Sequence, residues 1–157
     1  MKEKNRILLS SIVIALAVGG LSALLTSGNM DLYSEITKPP LSPPPIIFPI
    51  VWTVLYALMG ISASLILREK DTKTAEVRSA LSVYGINLIL NFFWSIIFFN
   101  FRAFLLSFIW LIALWVAILI MIIKFRKIIQ LAGILQIPYL IWVTFAGYLN
   151  LAIFLLN

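Results

Sequence analysis

The chain has 157 residues, of which 62% are hydrophobic and 11% charged, with a formal net charge of +6 and neither cysteine nor histidine. So apolar a composition excludes an ordinary soluble domain, and the missing Cys and His exclude disulfides, thiol chemistry and Cys/His zinc sites, and deprive any haem iron of its usual strong axial ligands. The positive charge does not point to nucleic acid, because the basic residues gather at the ends of apolar segments rather than on one face.

A hydrocarbon core about 30 Å thick needs roughly 20 apolar residues in helical form. Five stretches free of Asp, Glu, Lys and Arg meet that length: 7–27, 46–67, 79–101, 103–123 and 128–156. A single charge at a helix centre costs about 2.5 to 3.5 kcal/mol, so a fivefold absence is a strong signal. The segments also lack the polar face of a soluble amphipathic helix. The expected fold is therefore all-α: one domain over 1–157, an integral membrane bundle of five transmembrane helices.

The first segment follows the basic start Met1–Arg6 and has two readings, a cleaved signal peptide or a retained helix. Its length and the row Ala15, Gly19, Ala23, at spacing four, favour a retained helix packed closely against a neighbour. The first loop, about 28–45, holds Pro39, Pro40, Pro43, Pro44 and Pro45, five of the seven prolines. Proline fixes φ and removes donors, so this loop is expected to be stiff and extended, either as a rigid connector or as a preshaped lid over one end of the bundle. Arg102 is the only charge between the third and fourth segments, which predicts a tight antiparallel hairpin. Pro138, about a third of the way into the last segment, predicts a kink.

With five spans, the N-terminus, the second loop and the fourth loop share one side of the membrane. That side carries ten of the twelve basic residues, leaving Lys38 and Arg102 on the other. Positive-inside bias then places the N-terminus in the cytoplasm and the C-terminus outside, in a multi-pass protein of the cell membrane.

Within the spans, Asn87, Asn91, Trp94 and Phe98 share one helical face. Amides in hydrocarbon need partners, so Asn87 and Asn91 serve either interhelical hydrogen bonding or the wall of an internal pocket. Trp52, Leu55, Tyr56 and Met59 in the second segment, and Trp142, Phe145, Ala146 and Leu149 in the last, recur at i, i+3, i+4, i+7. Such stripes are packing surfaces or, taken together, the enclosure of a flat apolar ligand.

The ordered residues Tyr33, Lys38-Pro39, Pro43-Pro44, Val51-Trp52, Leu55-Tyr56, Met59-Gly60, Tyr84, Asn91, Trp94, Phe98-Phe99, Arg102, Pro138 to Trp142, Phe145-Ala146 and Leu149-Asn150 resemble the TspO/MBR family, the translocator or peripheral benzodiazepine receptor group. The match runs from the first loop to the C-terminus, and the first helix agrees only in character. The resemblance implies a five-helix bundle in membrane lipid, often a homodimer, that binds porphyrins and related tetrapyrroles and isoquinoline or benzodiazepine-type drug-like molecules, with no cofactor required. It also implies a pocket beneath the first loop, lined by Tyr33, Pro43, Pro44, Trp52, Asn87, Asn91, Trp94, Trp142, Phe145, Ala146 and Leu149. Three departures stand out. Leu41 replaces a frequent tryptophan, Trp110 stands where an acid is common, and no tyrosine or basic residue follows Tyr148, which leaves the sterol-binding motif incomplete.

The leading expectation is a membrane receptor or binding protein for tetrapyrroles. The alternatives are a light-dependent porphyrin-degrading enzyme, with Trp52 and Trp142 as redox partners of the excited ligand, and a tetrapyrrole transporter. Conventional acid–base catalysis is not expected from spans without an acidic, basic or imidazole side chain.

Overall fold

The computed structural model describes all residues, Met1–Asn157. Helix α1 runs Lys2–Thr26 and ends in a 3₁₀ turn, Ser27–Asn29. A single helical turn, α2 (Leu32–Glu35), interrupts the first loop before α3 (Ile47–Leu67). Then come α4 (Thr74–Ser95), continued by a π-helical turn at Ile96–Asn100, and α5 (Phe104–Ile128). The short α6 (Gln130–Ile134) precedes α7 (Ile137–Leu156). Five stretches are long and apolar enough to cross a membrane, Lys2–Asn29, Ile47–Leu67, Thr74–Asn100, Phe104–Ile128 and Gln130–Leu156. The expected all-helical, five-span bundle is thus what the chain forms.

The bundle is apolar outside and partly polar inside. Leu9, Ile14, Ile89, Ile109 and Leu155 are each more than half exposed, whereas Ser62, Asn87, Ser107 and Gln136 are fully buried. In lipid the helix surface has no need of a polar face, and a polar group does better bonded to another helix, as Ser62, Asn87 and Ser107 are, whereas the Gln136 amide is buried without a hydrogen-bond partner. Ser62 bonds the Ala132 carbonyl, which ties α6 to α3.

Helix ends differ from the sequence expectation in instructive ways. α1 begins at Lys2 and α4 at Thr74, ahead of the charge-free stretches, because charged residues at a helix end reach water without breaking the helix. The first loop is not extended throughout: it forms the 3₁₀ turn and α2 first, and only the proline run beyond Ile36 is extended or turned. Pro138 does not kink a continuous helix. The chain breaks at Leu135–Gln136, and α7 restarts with Pro138 in its first turn, where the missing N–H has no intrahelical acceptor to lose.

α1 packs along α3, α4 along α5, and α5 along α7. The approach of α1 to α3 is set at Gly60, where a Cβ would lie 2.5 Å from the Ile12 Cα, and at Gly19, where a Cβ would lie 2.5 Å from the Tyr56 ring. α4 and α5 form the expected tight hairpin through Arg102, whose φ of 50° turns the chain, and whose guanidinium pairs with Glu35 at 3.1 Å. α3 and α7 make no comparably close approach, and the space between α1, α3, α4 and α7 stays open beneath the first loop.

Candidate functional site

That space is a cavity of about 410 Å³. α1 offers it only small side chains, Gly19, Ser22, Ala23 and Thr26, at i, i+3, i+4 and i+7, and this recess makes room. The hydroxyls there are already spent: Thr26 donates to the Ser22 carbonyl at 2.9 Å and Ser22 to the Phe92 carbonyl at 3.2 Å. α3 supplies Phe48, Trp52 and Tyr56, one turn apart from each other, and α4 supplies Asn91 and Trp94. The π turn that follows α4 brings consecutive residues, Phe98 and Phe99, to the same wall. Ala146, Leu149, Asn150 and Ile153 close the α7 side, and Met30, Tyr33 and Pro45 of the first loop close one end. No Asp, Glu, Lys or Arg lines the cavity.

Two buried networks hold the walls. The Tyr139 hydroxyl donates to Asn87 Oδ1 at 2.6 Å and accepts from Asn91 Nδ2 at 2.7 Å, while Asn87 Nδ2 lies 3.6 Å from the Met121 sulfur. Nearer the loop, Asn150 Oδ1 accepts from Trp94 Nε1 and from Ser107 Oγ, both at 3.1 Å, and its Nδ2 donates to the Phe104 carbonyl at 2.8 Å. These bonds fix Trp94 against Phe98, ring centroids 5.4 Å apart and nearly parallel. Trp52 packs 5.8 Å from Tyr56 and edge-on to Tyr139 at 6.2 Å.

The loop is fastened over the cavity. Tyr33 donates its hydroxyl to the Pro43 carbonyl at 2.8 Å, and Tyr148 of α7 donates to the Pro40 carbonyl at 2.8 Å. The Asn157 amide grips Thr37 at both its N–H and its carbonyl, each at 3.0 Å. Burial pushes the Tyr33 hydroxyl above the ordinary phenol value, outweighing a lowering by Ser42. At neutral pH it therefore remains the protonated donor that this bond requires.

Of the expected pocket residues, Tyr33, Trp52, Asn91, Trp94, Ala146 and Leu149 line the cavity. The others do not. Asn87 is fully buried beside Tyr139, so interhelical bonding is its structural role, and Asn91 both bonds and faces the cavity. Pro43 and Pro44 are replaced at the wall by Pro45, Pro43 acting instead through its carbonyl on Tyr33. Trp142 and Phe145 line a separate apolar groove, between the outer flanks of α3 and α7 with Val51 and Leu55. Phe48 stands between, 5.3 Å from Tyr33 and 6.0 Å from Trp142. The two indoles thus do not share one chamber, because the stripe on α7 spans both its inward edge and its flank. Leu41, 81% exposed at a φ of 68°, faces away from the cavity. Trp110 donates to the Leu90 carbonyl at 2.7 Å and so fastens α5 to α4.

The expected site did not include Asn150, Phe48, Tyr56, Phe98, Phe99 or the α1 recess, although Tyr56 and Phe98 stood on the helical faces singled out in the sequence. Asn150, one turn beyond Ala146 and the only amide within α7, carried a readable signal. The α1 residues carried none beyond the small-residue row.

Fold and site together define a multi-pass membrane protein with a ligand-sized aromatic cavity among its helices. The TspO/MBR family matches residues 11–156, and the chain belongs to that family. It is 34% identical over 145 residues to the tryptophan-rich protein TspO of Chlorobaculum tepidum, covering 92% of this chain and 91% of the relative. It is likewise 34% identical over 151 residues to the tryptophan-rich protein TspO of Archaeoglobus fulgidus, covering 96% of each. The translocator protein of Ovis aries is 32% identical over 118 residues, 75% of this chain and 70% of that one.

Proposed function

We propose that this protein is a membrane receptor that binds porphyrins and related tetrapyrroles, and flat drug-like molecules of the isoquinoline or benzodiazepine type, in the cavity beneath the first loop. The observation that carries the reading is the wall itself: Trp52, Tyr56, Trp94, Phe98, Phe99 and Phe48 around a space of about 410 Å³ without a charged side chain. Concave, mostly aromatic sites with a few placed polar groups suit flat apolar ligands. Of the two indoles on the wall, Trp94 is committed to Asn150, whereas Trp52 makes no hydrogen bond within the protein. Membership of the TspO/MBR family supports the same reading, as it does a homodimer, which sizing in detergent tests. Titration with protoporphyrin, followed by tryptophan quenching, tests the binding reading: saturable quenching supports it and its absence refutes it.

Light-dependent degradation of the bound porphyrin is the second reading, favoured by an oxidisable indole, Trp52, on the cavity wall. Trp142, the other indole expected for this role, lines the neighbouring groove between α3 and α7 rather than that wall. Product analysis in light and in darkness separates this chemistry from binding alone.

The orientation follows from charge. Ten of the twelve basic residues lie at the end of the bundle opposite the loop, so the N-terminus belongs in the cytoplasm and the cavity opens toward the outside. A C-terminal reporter active only in the cytoplasm would overturn that orientation.

A further inference from the structure

A tetrapyrrole with carboxylate side chains poses a problem for a cavity with no charged residue: its ring fits the aromatic wall, but its anions must lie elsewhere. Leaving an ionised carboxylate in an apolar enclosure without a partner is prohibitively costly, so the anions must reach an end of the cavity that offers water or a cation. Ten basic residues lie at the far end of the bundle, separated from the cavity by the Asn87–Tyr139–Asn91 layer and the apolar core beneath it. At the loop end only two cations exist, Lys38 and Arg102. Arg102 is already neutralised by Glu35 at 3.1 Å. Lys38 has no carboxylate partner; its ammonium sits 4.7 Å from the centroid of the Tyr33 ring, which is part of the cavity wall. Asp31, the remaining acid of the loop, is exposed and unpaired, and repels an anion from its own side.

We infer that Lys38 is the anion-recognising residue of this site: it takes the carboxylates of a tetrapyrrole whose ring lies on the aromatic wall, so that the ligand enters ring first and rests with its acid edge under the loop. The inference rests on the tetrapyrrole reading and adds to it an orientation and a preference for the free acid. The Tyr33 ring holds the ammonium at the rim until a carboxylate replaces the cation–π contact. Lys38 itself is exposed, so its attraction is partly screened and should weaken as salt rises.

The test compares protoporphyrin IX with its dimethyl ester, which keeps the ring and loses the charge. Both are titrated into the full chain in detergent, for the parent, Lys38→Gln and Lys38→Arg. The expected result is a loss of about fivefold in affinity for the free acid in Lys38→Gln, from an interaction near the top of the range for exposed pairs, with the ester unaffected. Lys38→Arg restores most of the loss, and added salt weakens the acid but not the ester in the parent. If Lys38→Gln binds acid and ester as the parent does, or loses both equally, Lys38 does not read the carboxylates, and the tetrapyrrole reading stands without it. If the parent binds neither compound, both inferences fall.

Discussion

Tyr139 illustrates how a single hydroxyl can organise a membrane interior. It is 1% exposed, and it connects two amides of α4 by giving one hydrogen bond and taking another. Tyr139→Phe leaves the shape of the side chain nearly intact but orphans Asn87 Oδ1 and Asn91 Nδ2. Each buried group so stranded costs about 1 to 3 kcal/mol, and interhelical bonds in bilayers fall toward the lower end of that range or below. The variant is therefore expected to melt several degrees below the parent in thermal unfolding in detergent. An unchanged melting temperature would mean that the two amides find other partners. The amides themselves were legible in the sequence, since an Asn in an apolar span must bond or face a pocket, but which of these applied was not. That choice depends on what α7 places opposite them, and Tyr139 gives no periodic signal distinguishing it from ordinary core.

At the scale of the helix, small residues decide where the bundle closes and where it stays open. Gly60 lets the α1 backbone at Ile12 approach α3 directly. Gly19, about one helical turn beyond Ala15, admits the Tyr56 ring, and past it the recess of Ser22, Ala23 and Thr26 begins. Gly60→Ala puts a methyl within 2.5 Å of Ile12 Cα, a backbone atom that cannot rotate aside. Overpacking of this kind costs about 1 to 3 kcal/mol, and a lowered melting temperature is the expected reading. Gly85→Ala, with nothing near its Cβ position, is the control and should be neutral or slightly stabilising. Helix number and approximate span limits were readable from charge-free length alone. The break at Leu135–Gln136 was not, because a proline inside an apolar run is compatible with a kink or with a fresh helix start. The flank of α7 that Trp142 and Phe145 occupy was also hidden: spacing assigns residues to a face, and only the placement of α3 determines how far that face is covered.

Taken whole, the molecule separates its duties by height in the membrane. Ten cations and four acids, Glu3, Glu69, Asp71 and Glu76, gather at one end. A bonded polar layer around Tyr139 crosses the middle, and the cavity and its fastened loop occupy the other end. The loop is joined to α7 through Tyr148–Pro40 and Asn157–Thr37 and to the α4–α5 turn through Glu35–Arg102. Its proline run was legible in the sequence, whereas these fastenings join positions far apart in sequence and have no local signature. The occupant proposed for the cavity beneath this loop is a flat tetrapyrrole. The most direct test of this proposal is a parallel titration of the parent and of Ala146→Phe with protoporphyrin, followed by tryptophan quenching, with melting temperatures measured on both. Ala146 lines the cavity at 9% exposure, so a phenyl ring there fills space that the ligand needs. Saturable, one-to-one quenching is expected in the parent and at least about tenfold weaker binding in the variant, a difference of about 1.4 kcal/mol, with both proteins folded. Equal affinity in two folded proteins would contradict the proposal.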